Sequence, residues 1–100
     1  MAVYMIALNR ILDKEAWDEY HASMPALIKK YGIKPHSGGA FVKRLEGEYE
    51  CDYLGMLEFP DQETVGAFLA SPEYKELVPL MQRAAQRTLF SFEELPIGQS

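Results

Sequence analysis

Residues 2–32 read AVYMIALNRILDKEAWDEYHASMPALIKKYG, an apolar run followed by an amphipathic segment. Residues 2–8 are rich in Val, Tyr, Ile and Met, which predicts a strand in the middle of a sheet. Asp13 stands where a helix N-cap is expected, and Gly32 stands where a helix-terminating glycine is expected. The apolar residues between them recur at helical spacing, which predicts one helix whose buried stripe comprises Trp17, Tyr20, Met24, Leu27, Ile28 and Tyr31.

The middle of the chain predicts a β-hairpin. Residues 40–45 and residues 51–59 have the composition of strands, and Glu46-Gly47-Glu48 between them is typical of a turn. Residues 35–39 are expected to form a loop or the entry into the first of these strands.

The last third predicts a broken helix and a final strand. Asp61 is placed to cap a short helix, and Ser71, followed by Pro72, is placed to cap a longer one. The longer helix has an apolar stripe formed by Tyr74, Leu77, Val78, Met81, Ala84 and Ala85. Residues 88–92 predict the closing strand.

The order strand, helix, strand, strand, helix, strand predicts an α+β fold. Two right-handed crossovers around a hairpin produce a ferredoxin-like βαββαβ sandwich, with a four-stranded antiparallel sheet and the helices on one face. We expect residues 1–100 to form a single domain. The other face of the sheet needs a cover, and a second copy of the chain would supply it as a homodimeric α/β barrel.

Composition restricts the partners and the compartment. The net charge is −5 and the basic residues are scattered, which argues against nucleic acid or a membrane as a partner. Cys51 is the single cysteine, so no intrachain disulfide is expected, and a reducing compartment fits. The apolar start is too short for a signal peptide or a membrane span, so we expect a cytoplasmic protein.

Several short motifs, in their order and spacing, carry a family resemblance. They are Asp13 to Tyr20 (DKEAWDEY), Tyr31-Gly32, Gly38-Gly39, Leu45-Glu46-Gly47, Leu57-Glu58-Phe59-Pro60, Ser71-Pro72-Glu73-Tyr74 and Gln82-Arg83-Ala84-Ala85. From about Val3 to Glu94 the chain resembles the domain-of-unknown-function 1330 family of the dimeric α/β-barrel superfamily. The resemblance implies a ferredoxin-like protomer and a homodimer. Related barrels include cofactor-independent monooxygenases, cyclases, lyases and isomerases, an analogy at the level of the fold.

The chain departs from the pattern of that family at two arginine positions. Ser37 stands where an arginine usually precedes the paired glycines, and Met81 stands where a second arginine is common. An anion site built from those arginines is therefore expected to be absent or altered.

Two ionisable residues are the candidate catalytic groups. His21 lies beside the helix stripe, one turn before Pro25, whose ring should bend the helix and open room for a histidine acting as acid or base. The alternative is a half-exposed histidine without a role. Glu58 lies within an apolar strand and could serve as a general base if buried. The alternative is an ion pair with Lys43, Arg44 or a partner sheet.

Four further residues are candidate substrate contacts. Trp17, Tyr20 and Tyr74 would shape a cavity between sheet and helices, although aromatic residues at such spacing also serve simply as core. Arg83 lies off the apolar stripe of its helix, so a solvated or interface role competes with a substrate contact.

The sequence thus supports two functions of different class. The first is a cofactor-independent enzyme acting on a small apolar or aromatic molecule. The second is a non-catalytic small-molecule binding or dimeric interaction module. No metal site is predicted, because the two histidines lie fifteen residues apart without acidic partners at ligand spacing. No cofactor motif is present either.

Overall fold

The computed structural model describes residues 2–95. Its elements are β1 (Val3–Ile11), α1 (Lys14–Lys30), β2 (Lys34–Gly39), β3 (Tyr53–Phe59), α2 (Gln62–Leu69), α3 (Pro72–Ala84) and β4 (Ala85–Glu93). The strands form one sheet in the order β2-β3-β1-β4, and each neighbouring pair is antiparallel. This topology confirms the predicted ferredoxin-like α+β fold, including the central position of β1.

The ends of the helices follow the predicted local signals. The carboxylate of Asp13 accepts the backbone N–H of Glu15 at 3.0 Å, so it caps α1. Gly32 follows that helix with φ +66°, a conformation that glycine adopts without steric cost. The side chains of Asp61 and Ser71 cap α2 and α3 in the same way. These caps confirm the predicted break between α2 and α3.

The prediction for the second strand is wrong. The strand that pairs with β3 is Lys34–Gly39, whereas residues 40–45 lie outside any strand. β2 is an edge strand, and an edge position tolerates Pro35 and paired glycines, which in sequence are typical of a loop. The ladder is irregular between Pro35 and Ser37, where His36 is the extra residue of a bulge.

The two faces of the sheet have different neighbours because side chains alternate along a strand. On one face, Val3, Met5 and Phe59 are buried against the helices. Their cluster extends to Phe68 of α2 and Tyr74 of α3. The opposite face carries the alternate residues, Tyr4, Ile6, Leu8, Leu54, Met56, Glu58, Thr88, Phe90 and Phe92, and we call it the open face. It is substantially apolar and partly exposed.

Candidate functional site

A cavity of about 410 Å³ lies between α1, α3 and the helix-facing side of the sheet. Its wall is mainly apolar, with a few polar groups, which is the usual make-up of a small-molecule site. Its apolar lining includes Met5, Ala7, Met24, Pro25, Ile28, Leu57, Phe68 and Leu89. The polar and aromatic lining includes Asn9, Trp17, Tyr20, His21, Tyr53, Tyr74 and Arg87.

His21 lies at the solvent-facing edge of this cavity. Its Nε2 shares a hydrogen bond of 3.0 Å with the hydroxyl of Tyr53 on β3. The imidazole also stacks on the indole of Trp17, with ring centroids 5.5 Å apart and an interplanar angle of 19°. The stack follows from the spacing of four residues on one helix face. Two contacts therefore orient the imidazole while it stays accessible from solvent.

Gly38 makes room for this arrangement from the edge strand. A Cβ at residue 38 would lie 2.6 Å from the Tyr53 hydroxyl oxygen, whereas a Cβ at Gly39 would meet nothing within 4 Å. Since ordinary contact begins near 3.4 Å, the hydroxyl occupies the space that any larger residue would take. The lack of a side chain at Gly38 thus allows Tyr53 to reach His21.

Arg87 supplies the positive charge of the cavity. It donates N–H groups to the hydroxyl oxygens of Tyr20 on α1 and Tyr74 on α3. Its guanidinium carbon also lies 5.6 Å from the centroid of each of these two rings, within cation–π range. Arg87 is half-buried, whereas Tyr20 and Tyr74 are buried. The two tyrosines thus hold the guanidinium between the helices and the sheet.

Tyr20 remains a neutral phenol in this setting. Burial raises the pKa of Tyr20 above its usual range, and the attraction of Arg87 opposes that rise only in part. The hydroxyl therefore keeps its proton at neutral pH and does not neutralise the charge of Arg87.

Asn9 lies directly opposite Arg87 on the neighbouring strand, on the same face of the sheet. Its side-chain amide nitrogen donates to the carbonyl oxygens of Ala7 and Tyr53, at 3.5 and 3.4 Å. Asn9 is only 3% exposed, and its side-chain oxygen has no hydrogen-bond partner within residues 2–95. A buried acceptor without a partner costs free energy, so this oxygen is a place for a donor.

The structure does not bring Glu58 to the cavity. Glu58 pairs in register with Tyr4 and lies on the open face, whereas His21 contacts the helix-facing side. Its carboxylate is 3.8 Å from Nζ of Lys34 and 4.0 Å from Nε2 of His36. The two candidate catalytic residues therefore lie apart, because the strand alternation that places Glu58 on the face opposite Leu57 also places it away from α1.

Of the four predicted substrate contacts, three line the cavity and one does not. Trp17, Tyr20 and Tyr74 line the cavity. Arg83 is exposed and lies outside the cavity lining, because it projects from the polar side of α3. The arginine that lines the cavity is Arg87, which sequence reasoning missed because the final strand was predicted to begin at residue 88. Alternation back from Leu89 would have indicated its side.

Asn9 was missed for a related reason. In the sequence it reads as a polar interruption of an apolar run, although it continues the helix-facing alternation of Met5 and Ala7. Within residues 2–95, none of the helices combines the length and the apolar composition of a membrane span.

Several solved protein structures have the same fold as this chain. RPA0582 of Rhodopseudomonas palustris, a protein of unknown function, has a TM-score of 0.79 at 21% identity, covering 95% of this chain and 83% of its own. A dimeric protein of unknown function with a ferredoxin-like fold from Bacteroides fragilis has a TM-score of 0.71 at 17% identity, covering 93% and 96%. An antibiotic biosynthesis monooxygenase has a TM-score of 0.61 at 20% identity, covering 94% and 99%. At these identities the likeness shows the fold alone.

Sequence comparison is more specific than the structural likeness. No curated protein matches the chain. The model of the domain of unknown function DUF1330 matches residues 2–95, nearly the whole sequence. The chain therefore belongs to the DUF1330 family.

Proposed function

We propose that the cavity binds a small apolar or aromatic molecule and that His21 acts on it as acid or base, without a cofactor. The observation that carries this proposal is the oriented imidazole of His21 at the edge of an apolar cavity of about 410 Å³. Imidazole is the side-chain group whose ordinary titration lies nearest neutral pH, which suits proton transfer.

Tyr53 acts as the positioning residue for His21. Its hydrogen bond engages Nε2, and the direction of that bond follows the tautomer of the ring. The stacked indole of Trp17 restrains the ring plane at the same time. An imidazole held in one orientation meets a bound molecule with a reproducible geometry, which is what proton transfer requires.

The reaction class suggested by the fold is that of cofactor-independent barrels such as monooxygenases, cyclases, lyases and isomerases. A structural neighbour is named an antibiotic biosynthesis monooxygenase, which supports that direction as an analogy.

The second candidate is a non-catalytic module that binds the same kind of molecule. It is favoured by the position of Glu58 on the open face, since the second candidate acid or base then lies outside the cavity. Binding with no turnover is the result that this candidate requires.

A turnover screen with small aromatic and acyl compounds separates the two candidates. The wild-type protein is compared with His21→Ala and Tyr53→Phe, and Glu19→Gln, on the exposed surface of α1, serves as the control. We expect activity in the wild type and in the control, a large loss in His21→Ala and a smaller loss in Tyr53→Phe. Activity that survives His21→Ala contradicts the acid–base role, and binding without any turnover favours the module.

We also propose that the protein is a homodimer in which two open faces pack together. Phe90 and Phe92 on this face are 58% and 43% exposed, and Leu54 is 36% exposed. An exposed apolar surface of this kind is typical of an interface. The structural neighbour from Bacteroides fragilis is described as dimeric, which supports the proposal.

A further inference from the structure

We propose that the molecule bound in the cavity is a small apolar or aromatic carboxylic acid whose carboxylate pairs with Arg87. This inference rests on the proposed function, because it names the class of ligand for the same cavity. Three features support it: the unpaired charge of Arg87, the hydrogen-bond donors around that charge, and the apolar wall around the remaining space.

Within the described part of the chain, residues 2–95, Arg87 has no carboxylate partner. None of the ion pairs within residues 2–95 involves Arg87, and its hydrogen bonds go to the phenol oxygens of Tyr20 and Tyr74. A partly desolvated cation is normally paired, because leaving water is costly for a charge. The tyrosine hydroxyls orient the guanidinium but do not balance its positive charge. An anionic group on a ligand would balance that charge.

The groups around Arg87 converge as donors. Tyr20 and Tyr74 accept from the guanidinium, so each keeps its own O–H to donate, and neither hydroxyl donates to another group within residues 2–95. The guanidinium also keeps N–H groups that the tyrosines do not use. A carboxylate has two oxygens in a plane, and it matches such a set with short, charge-assisted hydrogen bonds.

The charge count favours a carboxylate over a phosphate. Among the cavity-lining residues of the described chain, Arg87 is the single lysine or arginine. A singly charged group balances it, whereas a phosphate would bring additional charge into a mainly apolar space.

The rest of the cavity suits the apolar body of such an acid. Met5, Met24, Ile28, Leu57 and Leu89 offer flexible or aliphatic surface to an aliphatic chain or an aromatic ring. The unpaired side-chain oxygen of Asn9 adds one acceptor to this wall. A hydroxyl or amino group on the body of the ligand would donate to it and remove the cost of leaving it without a partner.

Binding of phenylacetate and of its neutral analogue phenylacetamide at pH 7 tests this inference. Trp17 is the single tryptophan of the chain and lines the cavity, so its fluorescence reports binding there, with calorimetry as an independent check. The wild type is compared with Arg87→Met, with Arg87→Lys and with Arg83→Met, a matched control that removes an exposed arginine outside the cavity.

We expect the wild type to bind the acid about tenfold more tightly than the amide, the size of one charge-assisted interaction. This preference should be retained in Arg83→Met, fall in Arg87→Lys, which keeps the charge without the planar fork, and disappear in Arg87→Met. If circular dichroism shows that Arg87→Met does not fold, the comparison of the wild type with Arg87→Lys tests the role of Arg87.

The contrary results separate the two proposals. Equal binding of acid and amide by the wild type overturns the carboxylate inference and leaves the apolar cavity of the proposed function standing. Binding of neither compound at millimolar concentration counts against both. If Arg87→Met folds and still prefers the acid, the assignment to Arg87 is overturned. If Arg87→Met does not fold, an unchanged acid preference in Arg87→Lys overturns the assignment.

Discussion

The hydroxyl of Tyr53 lies 3.0 Å from Nε2 of His21, although the two residues are 32 positions apart in the chain. One belongs to β3 and the other to α1, so the pair exists only because the helix packs over the sheet. Gly38 on the adjacent strand leaves the space that the hydroxyl occupies.

Gly38→Ala is expected to break the hydrogen bond between Tyr53 and His21. The new Cβ would lie 2.6 Å from the hydroxyl oxygen, closer than atoms can approach, so the end of the tyrosine side chain must shift. NMR of the His21 ring nitrogens should show the change, and Tyr53→Phe should reproduce it. Gly39→Ala is the matched control, because its Cβ meets nothing within 4 Å. Identical His21 spectra in the wild type and Gly38→Ala would contradict this account.

Ser71→Ala is expected to destabilise the protein by about 0.5–2 kcal/mol, the usual cost of losing a helix N-cap. Ser71 is 4% exposed, its hydroxyl donates to the carbonyl of Phe68 at 2.7 Å, and it accepts the N–H of Tyr74 at 3.2 Å. Unfolding in urea measures the loss. Ser23→Ala serves for comparison, because the Ser23 hydroxyl donates to the carbonyl of Glu19 in its own helix and caps no helix end. An equal effect of both changes would argue against the cap.

Glu73→Gln is expected to lower the melting temperature at pH 7 and to have less effect at pH 3. A hydrogen bond from Lys30 is the main reason that the pKa of Glu73 is lowered, with its own backbone N–H and the Tyr31 hydroxyl adding to it. A lowered folded-state pKa means that the carboxylate stabilises the fold above its unfolded pKa. That stability is lost as the pH falls through the folded pKa.

Glu76→Gln removes a carboxylate from the exposed surface of the same helix and is the control for Glu73→Gln. The ion pair between Lys30 and Glu73 also raises the pKa of Lys30, chiefly through the hydrogen bond that Lys30 donates to Glu73. The contribution of Lys30 should therefore be present at neutral pH and fade only at strongly alkaline pH. A Glu73→Gln effect that is as large at pH 3 as at pH 7 would rule out the ion pair as its cause.

Phe90→Asp is expected to convert a dimer into a monomer. Light scattering at micromolar concentration should give twice the chain mass of 11.4 kDa for the wild type and the single chain mass for the variant. The charge would lie in the middle of the proposed interface, where it could not be solvated. Leu12→Asp, at a residue of similar exposure outside the sheet face, should stay dimeric. A monomeric wild type would contradict the packing of two open faces.

Local sequence signals are sufficient for the helices and for the order of the strands. Asp13, Asp61 and Ser71 cap helices by accepting hydrogen bonds from backbone N–H groups two or three residues away. The capping side chain and the helix start that it stabilises therefore lie within one turn of each other. The apolar stripe from Trp17 to Leu27 predicts the buried side of α1 for the same reason. The ferredoxin-like topology follows from these signals and their order.

The second strand and the polar groups of the cavity depend on partners far away in the chain. Lys34–Gly39 becomes a strand because β3 pairs with it, whereas its own Pro35 and glycines are typical of a loop. Asn9 meets the facing Arg87 through strand pairing, and Arg87 meets Tyr20 across 67 positions. Strand alternation places Glu58 on the face of the sheet opposite His21. Short-range patterns therefore determine the helices and the order of the elements. The extent of the second strand is determined by its pairing with β3. The composition of the cavity is determined by packing, since its side chains come from strands and helices that meet only in the folded chain.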